Sequence, residues 1–127
     1  MEYKIEYKQT KHRGRGVFAL KNFKKGDLIE ETPVIVLSSK DSPVCETTVL
    51  NKYIYPWKGR KDGCIALGYG SLYNHSFDPN AEYDFNYERQ TMLYTALRTI
   101  KKGEEILVNY NGDPEDKKHI DWLPNVK

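Results

Sequence analysis

Three short segments carry the residue types of this sequence that could bind a small molecule or take part in a reaction. They are residues 13–19, 74–80 and 103–110. The glycines of the first segment would let a ligand approach the backbone closely. Asn74 and His75 offer hydrogen-bond donors and acceptors on adjacent side chains, and Tyr110 offers a phenol that can do both. Taken alone, each segment is also explained by an ordinary turn, an Asx-rich loop or a core strand.

Together, and in this order along the chain, the three segments resemble those of SET-domain proteins. Two patterns carry the resemblance, Asn-His-Ser-x-x-Pro-Asn from residue 74 and Gly-Glu-Glu-Ile-x-x-x-Tyr from residue 103. The SET family transfers a methyl group from S-adenosylmethionine to the amine of a protein lysine. The similarity spans about residues 3 to 112 and is to small, free-standing SET domains of the viral and bacterial type. It implies a protein lysine N-methyltransferase whose cofactor is S-adenosylmethionine.

The resemblance also implies a role for each matching position. Tyr110 becomes the catalytic residue, which orients the amine and the methyl group. The implied cofactor-binding residues are Arg15, Gly16, Phe18, Asn74 and His75. The implied residues of the lysine channel are Tyr53, Tyr69, Tyr83, Val108 and Trp122. Core packing explains the first four of these equally well. Asn80 is expected to help close its loop, and Asn109 stands where the family frequently has Asp.

The elements that must position these segments are short strands separated by turns. Alternating apolar and polar residues, bounded by glycine and proline, predict strands. The predicted strands are residues 3–8, 17–20, 28–31, 34–37, 64–67, 81–87, 92–100 and 106–110. The turn sequence Lys-Lys-Gly-Asp/Glu occurs twice, at residues 24–27 and 101–104. Residues 44–55 are ambiguous, and one interpretation of them is a substantial helix that Pro56 would end.

The predicted fold class is therefore mostly β. We expect one SET domain over residues 1–112, followed by a tail of residues 113–127 that completes the active-site channel. By resemblance, the domain is a β-clip of short strands with a pseudoknot and one or two short helices. The pattern lacks the cysteine-rich zinc modules of many histone-directed relatives. We therefore expect no metal site and a channel closed without metal.

Composition narrows the classes of function. The net charge of +2 on 127 residues is too small to imply nucleic-acid binding, although basic residues cluster between positions 4 and 25. No apolar run approaches the roughly 18 residues of a membrane helix, and no signal peptide is evident. These features predict an intracellular protein, cytoplasmic or nuclear, or nuclear in a host if its origin is viral or bacterial. The two cysteines, Cys45 and Cys64, are expected to be reduced.

The expected partner is a protein or peptide that carries a lysine, with histone tails as the usual example in the family. The protein is expected to be a monomer or a homodimer, without membrane binding and without direct nucleic-acid binding. Two other classes of function remain open. One is a catalytically silent SET-like module that binds peptides or basic tails. The other is a small nucleic-acid-binding β domain, which rests on the N-terminal basic cluster alone.

Overall fold

A computed structural model describes residues 3–59, 61–118 and 120. These residues form nine strands and two short helices. In chain order they are β1 (Ile5–Gln9), β2 (Arg15–Ala19), β3 (Leu28–Leu37), α1 (Asp41–Cys45), the 3-10 helix Val49–Lys52, β4 (Ile54–Pro56), β5 (Gly63–Ala66), β6 (Asn74–His75), β7 (Ala81–Asn86), β8 (Thr91–Ala96) and β9 (Glu105–Val108). The predicted mostly-β fold of short strands is confirmed.

The predicted strands 92–100 and 106–110 end earlier in the structure, at Ala96 and Val108. The predicted strands 28–31 and 34–37 are a single strand. The proline at position 33 predicts a break between two strands, whereas β3 is continuous over ten residues. Proline is compatible with an extended backbone and removes only one hydrogen-bond donor. The Pro33 carbonyl still accepts a hydrogen bond from the Leu67 N–H at 2.9 Å. A proline therefore does not end this strand.

The prediction of one substantial helix within residues 44–55 is wrong. The structure has α1, five residues long, and then the four-residue 3-10 helix. The hydroxyls of Thr47 and Thr48 donate to backbone carbonyls three residues earlier, at 2.7 and 2.6 Å. Such local bonds compete with helix continuation. The chain then extends as β4, which the sequence did not indicate.

Both predicted Lys-Lys-Gly turns are confirmed and have matching geometry. Gly26 and Gly103 have φ values of +91° and +94°, which glycine adopts readily. In each turn the fourth N–H donates to the first carbonyl at 2.9 Å. Phe23 and Ile100, which directly precede the turns, pair with each other in an antiparallel bridge. The two turns therefore begin at paired positions.

The first sheet has the strand order β1–β2–β9–β6. β1 pairs with β2, and β2 with β9, in antiparallel fashion. β6 pairs with β9 in parallel, so that Asn74 lies opposite Leu107 and His75 opposite Val108. The sequence predicts a loop here, because a two-residue strand is too short to show an alternating pattern. This short pairing is what brings the Asn-His pair to β9.

The chain forms two compact units. The first comprises Met1–Glu30, Leu72–Asp84 and Leu93–Lys127, and it contains the whole first sheet. The second comprises Glu31–Ser71 and Phe85–Met92. The predicted division into a domain of residues 1–112 and a tail of residues 113–127 stays a prediction.

A cluster of three aromatic rings lies in the second unit. The Trp57 side chain is 6% exposed and meets the rings of Phe85 and Tyr87 edge-on, at centroid distances of 5.6 and 4.8 Å. A second sheet has the strand order β4–β5–β3–β8–β7. Among the described residues, no helix has the length and apolar character that a membrane crossing requires.

Candidate active site

The parallel pairing of β6 and β9 brings His75 next to Tyr110. Tyr110 follows β9 by two residues, just beyond the point where Val108 pairs with His75. The Tyr110 N–H donates to Nδ1 of His75 at 3.0 Å. The two ring centroids lie 5.2 Å apart. Two of the three segments selected for their chemistry therefore meet through side chains.

The His75 ring is neutral and carries its proton on Nε2. Because Nδ1 accepts the Tyr110 N–H, the hydrogen of a neutral imidazole must be on the other nitrogen. Burial lowers the pKa of His75, and the positive charge of Arg13 lowers it further. Arg13 Nη1 donates to the His75 carbonyl at 3.3 Å, which places that charge beside the residue. A neutral ring at neutral pH follows.

The Tyr110 phenol donates its proton to a backbone carbonyl. Its O–H lies 2.5 Å from the Tyr73 carbonyl oxygen, and a phenol oxygen that donates is also able to accept. The Tyr73 ring stacks on Tyr94 at 4.2 Å, and its hydroxyl donates to Oε1 of Glu30 at 2.8 Å. The Tyr83 hydroxyl donates to the Tyr110 carbonyl at 3.3 Å. Both the phenol and the backbone of Tyr110 are thus held in place.

Three residues that support Tyr110 could not be predicted from the sequence, namely Tyr73, Tyr94 and Glu30. Tyr73 directly precedes Asn74, and that position was the one available signal. Tyr94 lies within a predicted strand, and in a chain with ten tyrosines its residue type says little. Glu30 is 43 residues from its partner Tyr73, so no local pattern relates them.

Asn74 ties the glycine-rich segment to β9. Its Nδ2 donates to Oε2 of Glu105 at 2.8 Å and to the Arg15 carbonyl at 3.2 Å. A Cβ at Gly16 would lie 2.4 Å from that carboxylate oxygen and 2.8 Å from that amide nitrogen. A side chain at position 16 would therefore displace these two groups, and glycine leaves room for their hydrogen bond. All three segments converge at this point.

Asn80 closes the loop that follows His75, in line with its expected role. Its side chain is buried, and its Nδ2 donates to the Glu105 carbonyl at 2.9 Å. Its Oδ1 accepts the Leu107 N–H at 2.8 Å. Its backbone N–H donates to the Leu107 carbonyl at 3.2 Å, and its carbonyl accepts the Leu97 N–H at 2.9 Å. Asn80 therefore makes strand-like hydrogen bonds to β9 in addition to those of β6.

The other predicted cofactor residues differ in exposure. Arg15 is exposed, and its backbone carbonyl is the group that Asn74 contacts. Phe18 is half-buried, with the Lys8 ammonium 4.4 Å from its ring centroid. The part of Arg15 and Phe18 in cofactor binding stays a prediction.

The predicted channel residues are divided between the two units. Tyr83 and Val108 belong to the first, where Val108 is fully buried in β9. Tyr53 and Tyr69 belong to the second unit and are half-buried there. Trp122 lies outside the described residues. The lysine channel that these five residues would line stays a prediction.

One polar group of the first unit fits the cofactor that the resemblance implies. His75 Nε2 is buried and has no hydrogen-bond partner among the described residues. A buried N–H without an acceptor costs about 1–3 kcal/mol, so the site favours a ligand that brings an acceptor. S-adenosylmethionine carries such acceptors on its carboxylate, ribose and adenine. The donor at His75 therefore suits this ligand.

A surface depression of about 520 Å³ also lies in the first unit. Phe77, Pro114 and Lys117 contribute to its lining, together with side chains of both charges. Neither His75 nor Tyr110 lines it, so this depression is separate from the residues that hold Tyr110. Within the described part of the chain, no three His, Cys, Asp or Glu side chains are grouped as a metal site would require.

Comparison with known sequences identifies relatives of this chain. The model of the SET domain matches residues 14–111. A histone-lysine N-methyltransferase of Schizosaccharomyces pombe, described as H3 lysine-37 specific, is 37% identical over 107 residues, covering 84% of this chain and 72% of the relative. A Cryptococcus neoformans histone-lysine N-methyltransferase, described as H3 lysine-9 specific, is 38% identical over 60 residues, covering 40% of this chain and 3% of the relative.

Comparison with solved structures identifies similar folds. The crystal structure of a Plasmodium falciparum histone methyltransferase candidate has a TM-score of 0.70 at 32% identity, covering 87% of this chain and 99% of that one. A chain of the ctPRC2 complex has a TM-score of 0.72 at 22% identity, covering 86% of this chain and 14% of that one. At that identity, the second similarity concerns the fold alone.

Proposed function

Because the chain belongs to the SET-domain family of protein lysine methyltransferases, we propose that it methylates a lysine of a histone H3 tail with Tyr110 at the reacting centre. SET methyltransferases use S-adenosylmethionine in general. We assign its binding in this chain to Asn74, His75 and the backbone around Gly16. One observation carries the proposal. The backbone of Tyr110 is held by His75 and its phenol by the Tyr73 carbonyl.

The chemistry asked of this chain is mainly positioning. When bound, S-adenosylmethionine supplies an activated methyl group on a positively charged sulfonium. Tyr110 then orients the acceptor amine, because its oxygen can accept a lysine N–H or a weak C–H contact. The Tyr83 hydroxyl restrains the Tyr110 carbonyl, and we assign to Tyr83 the limit on how many methyl groups fit. Alignment of reacting groups accounts for a large part of such rate enhancements.

The acceptor lysine must lose its proton before it can react. An ordinary lysine pKa of about 10.4 lies about 3 units above neutral pH, a difference of roughly 4–5 kcal/mol. Burial and a nearby positive charge both shift that pKa downward. We therefore propose that desolvation in the site, rather than a side-chain base, delivers the neutral amine.

The substrate assignment rests on the S. pombe relative, whose name specifies histone H3. A histone substrate also supports a nuclear site of action. The substrate strand would add to an exposed sheet edge, where backbone bonds supply affinity and side-chain pockets supply specificity.

The decisive experiment compares methyl transfer to recombinant histone H3 by the wild type and by Tyr110→Phe. We expect the variant to lose about a hundredfold in rate, because the phenol oxygen that aligns the amine is gone. We expect S-adenosylmethionine to stabilise both proteins in a thermal shift assay. Tyr87→Phe is the matched control, since it also deletes a hydroxyl that bonds a backbone carbonyl, that of Trp57 at 3.0 Å, and it should keep full activity.

Three results would count against the proposal in different ways. Full activity of Tyr110→Phe would remove Tyr110 from the reacting centre. Stabilisation by S-adenosylmethionine without transfer to any histone would overturn the H3 assignment and favour the silent binding module. Absence of stabilisation at concentrations far above typical affinities would contradict cofactor binding.

A further inference from the structure

The segment after Tyr110 is tied back to both sequence neighbours of that tyrosine. We name residues 113–118 the strap. Asn109 Nδ2 donates to the Asp116 carbonyl at 2.6 Å. Asn111 Nδ2 donates to the Lys118 carbonyl at 2.9 Å, with a longer contact of 3.4 Å to the Asp116 carbonyl. The residues on either side of Tyr110 therefore hold two carbonyls of the strap.

The strap also reaches the histidine that supports Tyr110. Lys117 Nζ donates to the Phe77 carbonyl. The Phe77 ring meets the His75 ring edge-on at 4.5 Å. His75 in turn accepts the Tyr110 N–H. The strap therefore contacts Tyr110 indirectly by two routes. One passes through its sequence neighbours Asn109 and Asn111, and the other through Phe77 and His75.

The strap has internal order and leads into a buried residue. The Asp116 N–H donates to the Asp113 carbonyl at 3.0 Å, and the Lys118 N–H donates to Oδ1 of Asp116 at 2.8 Å. Ile120, two residues beyond the strap, is only 6% exposed. These contacts describe a docked segment rather than a loosely attached one.

Position 109 requires an amide. Asn109 is 2% exposed, and its Oδ1 accepts the Asn111 N–H at 2.9 Å while its Nδ2 donates to Asp116. An aspartate would keep the acceptor but lose the donor, and its carboxylate would face the Asp116 carbonyl. The frequent family residue would therefore disrupt this contact, and Asn109 makes it possible.

We propose that Asn109 and Asn111 are positioning residues that couple docking of the strap to the orientation of Tyr110. The proposal rests on the catalytic role proposed for Tyr110. It adds that release of the strap misplaces the phenol without removing it. The coupling uses hydrogen bonds and one ring contact within this chain.

The test uses Asn109→Asp, Asn111→Asp and Lys117→Met in the full chain. Amide hydrogen exchange by NMR reports on the strap and on the Tyr110 N–H, and steady-state kinetics separate kcat from KM for S-adenosylmethionine. In Asn109→Asp we expect both sets of amides to exchange about tenfold faster and kcat to fall about tenfold, the scale of one lost buried hydrogen bond. KM for S-adenosylmethionine should change much less. Asn111→Asp and Lys117→Met should act in the same direction.

Asn22→Asp is the matched control. Asn22 is exposed and its Oδ1 accepts the Lys102 N–H at 2.8 Å, a bond that aspartate retains, so neither readout should change. If Asn109→Asp does not fold, Asn111→Asp and Lys117→Met test the coupling instead. Asn111 is half-buried and Lys117 is exposed, so both substitutions disturb the core less.

Separate outcomes contradict separate claims. Faster exchange in the strap with an unchanged Tyr110 amide and an unchanged kcat would overturn the coupling. Faster exchange at Tyr110 in a protein whose wild type transfers no methyl group would leave the coupling standing and remove the proposed function instead.

Discussion

His75 has a structural task that its residue type did not reveal. Sequence resemblance assigns it to the cofactor, yet its Nδ1 accepts the N–H of Tyr110. That bond determines which ring nitrogen carries the proton, and it leaves a buried Nε2–H for a ligand. One side chain therefore links the proposed cofactor site to the proposed reacting centre.

We predict that side-chain ¹⁵N NMR will show His75 as the neutral Nε2–H tautomer, with a pKa below 6.5. Burial disfavours the charged ring, and Arg13 adds repulsion. Because the folded-state pKa is depressed, the unfolded chain binds the proton first as the pH falls below about 6.5. The contribution of His75 to stability is thus present above that pH and is lost as the pH falls through the folded-state pKa. Thermal denaturation between neutral and mildly acidic pH measures this loss.

Arg13→Gln supplies the comparison for this titration. Glutamine can still donate to the His75 carbonyl but carries no charge, so the pKa of His75 should move toward its ordinary value. A His75 pKa at or above 6.5 in the wild type, or an Nδ1–H tautomer, would contradict the assignment.

At the scale of elements, the two-residue strand β6 depends on Asn80. A strand of two residues supplies few ladder bonds of its own. Asn80 adds side-chain and backbone bonds to β9 directly after the loop, at Glu105 and Leu107. The segment that carries His75 is thereby held at both ends.

We predict that Asn80→Ala lowers the free energy of unfolding by about 2–4 kcal/mol. Two side-chain bonds are lost, and the part-buried Glu105 carbonyl and Leu107 N–H lose partners, each at about 1–3 kcal/mol. Urea denaturation followed by circular dichroism measures the change. Asn22→Ala removes one bond at an exposed turn and should cost about 1 kcal/mol or less. Equal losses in the two variants would contradict the role given to Asn80.

At the scale of the whole molecule, the two compact units share strands. β3, β7 and β8 each contribute residues to both units. A strand that continues from one unit into the other gives the chain a reason to unfold as a whole. We therefore expect one cooperative transition, as is usual for chains of this size.

Cys64 provides the probe for this expectation. It is fully buried in the second unit, and burial, with a smaller contribution from the Asp62 carboxylate, raises its pKa to about 12. We predict that a thiol reagent labels Cys45, which is half-buried, in the native protein, and labels Cys64 only on opening. The opening free energy from Cys64 labelling should equal the global value, and a clearly smaller one would show that the second unit opens separately.

The same thiol makes a prediction for alkaline pH. Because its folded-state pKa is raised above the ordinary 9.0, the unfolded chain loses the proton first. Stability should therefore fall as the pH rises above about 9. Cys64→Ala should reduce this alkaline dependence, and an unchanged dependence would point to other groups.

Local patterns in the sequence were sufficient for part of this fold. Alternation along β7 and the Lys-Lys-Gly turns were predictable, because both depend on a few consecutive residues. The helix expected within residues 44–55 was not found, because threonine hydroxyls bond the local backbone there. The pairing of β6 was unpredictable for a different reason, since two residues show no period.

The sequence by itself determined the residue types of the three segments, the position of their turns and the mostly-β class. Only the tertiary structure decided which atoms meet. Arg13 reaches His75 across 62 positions, Asn74 reaches Glu105 across 31, and Tyr110 reaches Tyr73 across 37. Each contact closes a long loop, and its geometry depends on the pairing of β6 with β9 rather than on neighbouring residues. The strap is the same kind of result, because an asparagine amide finds its acceptor only once the chain has folded back on itself.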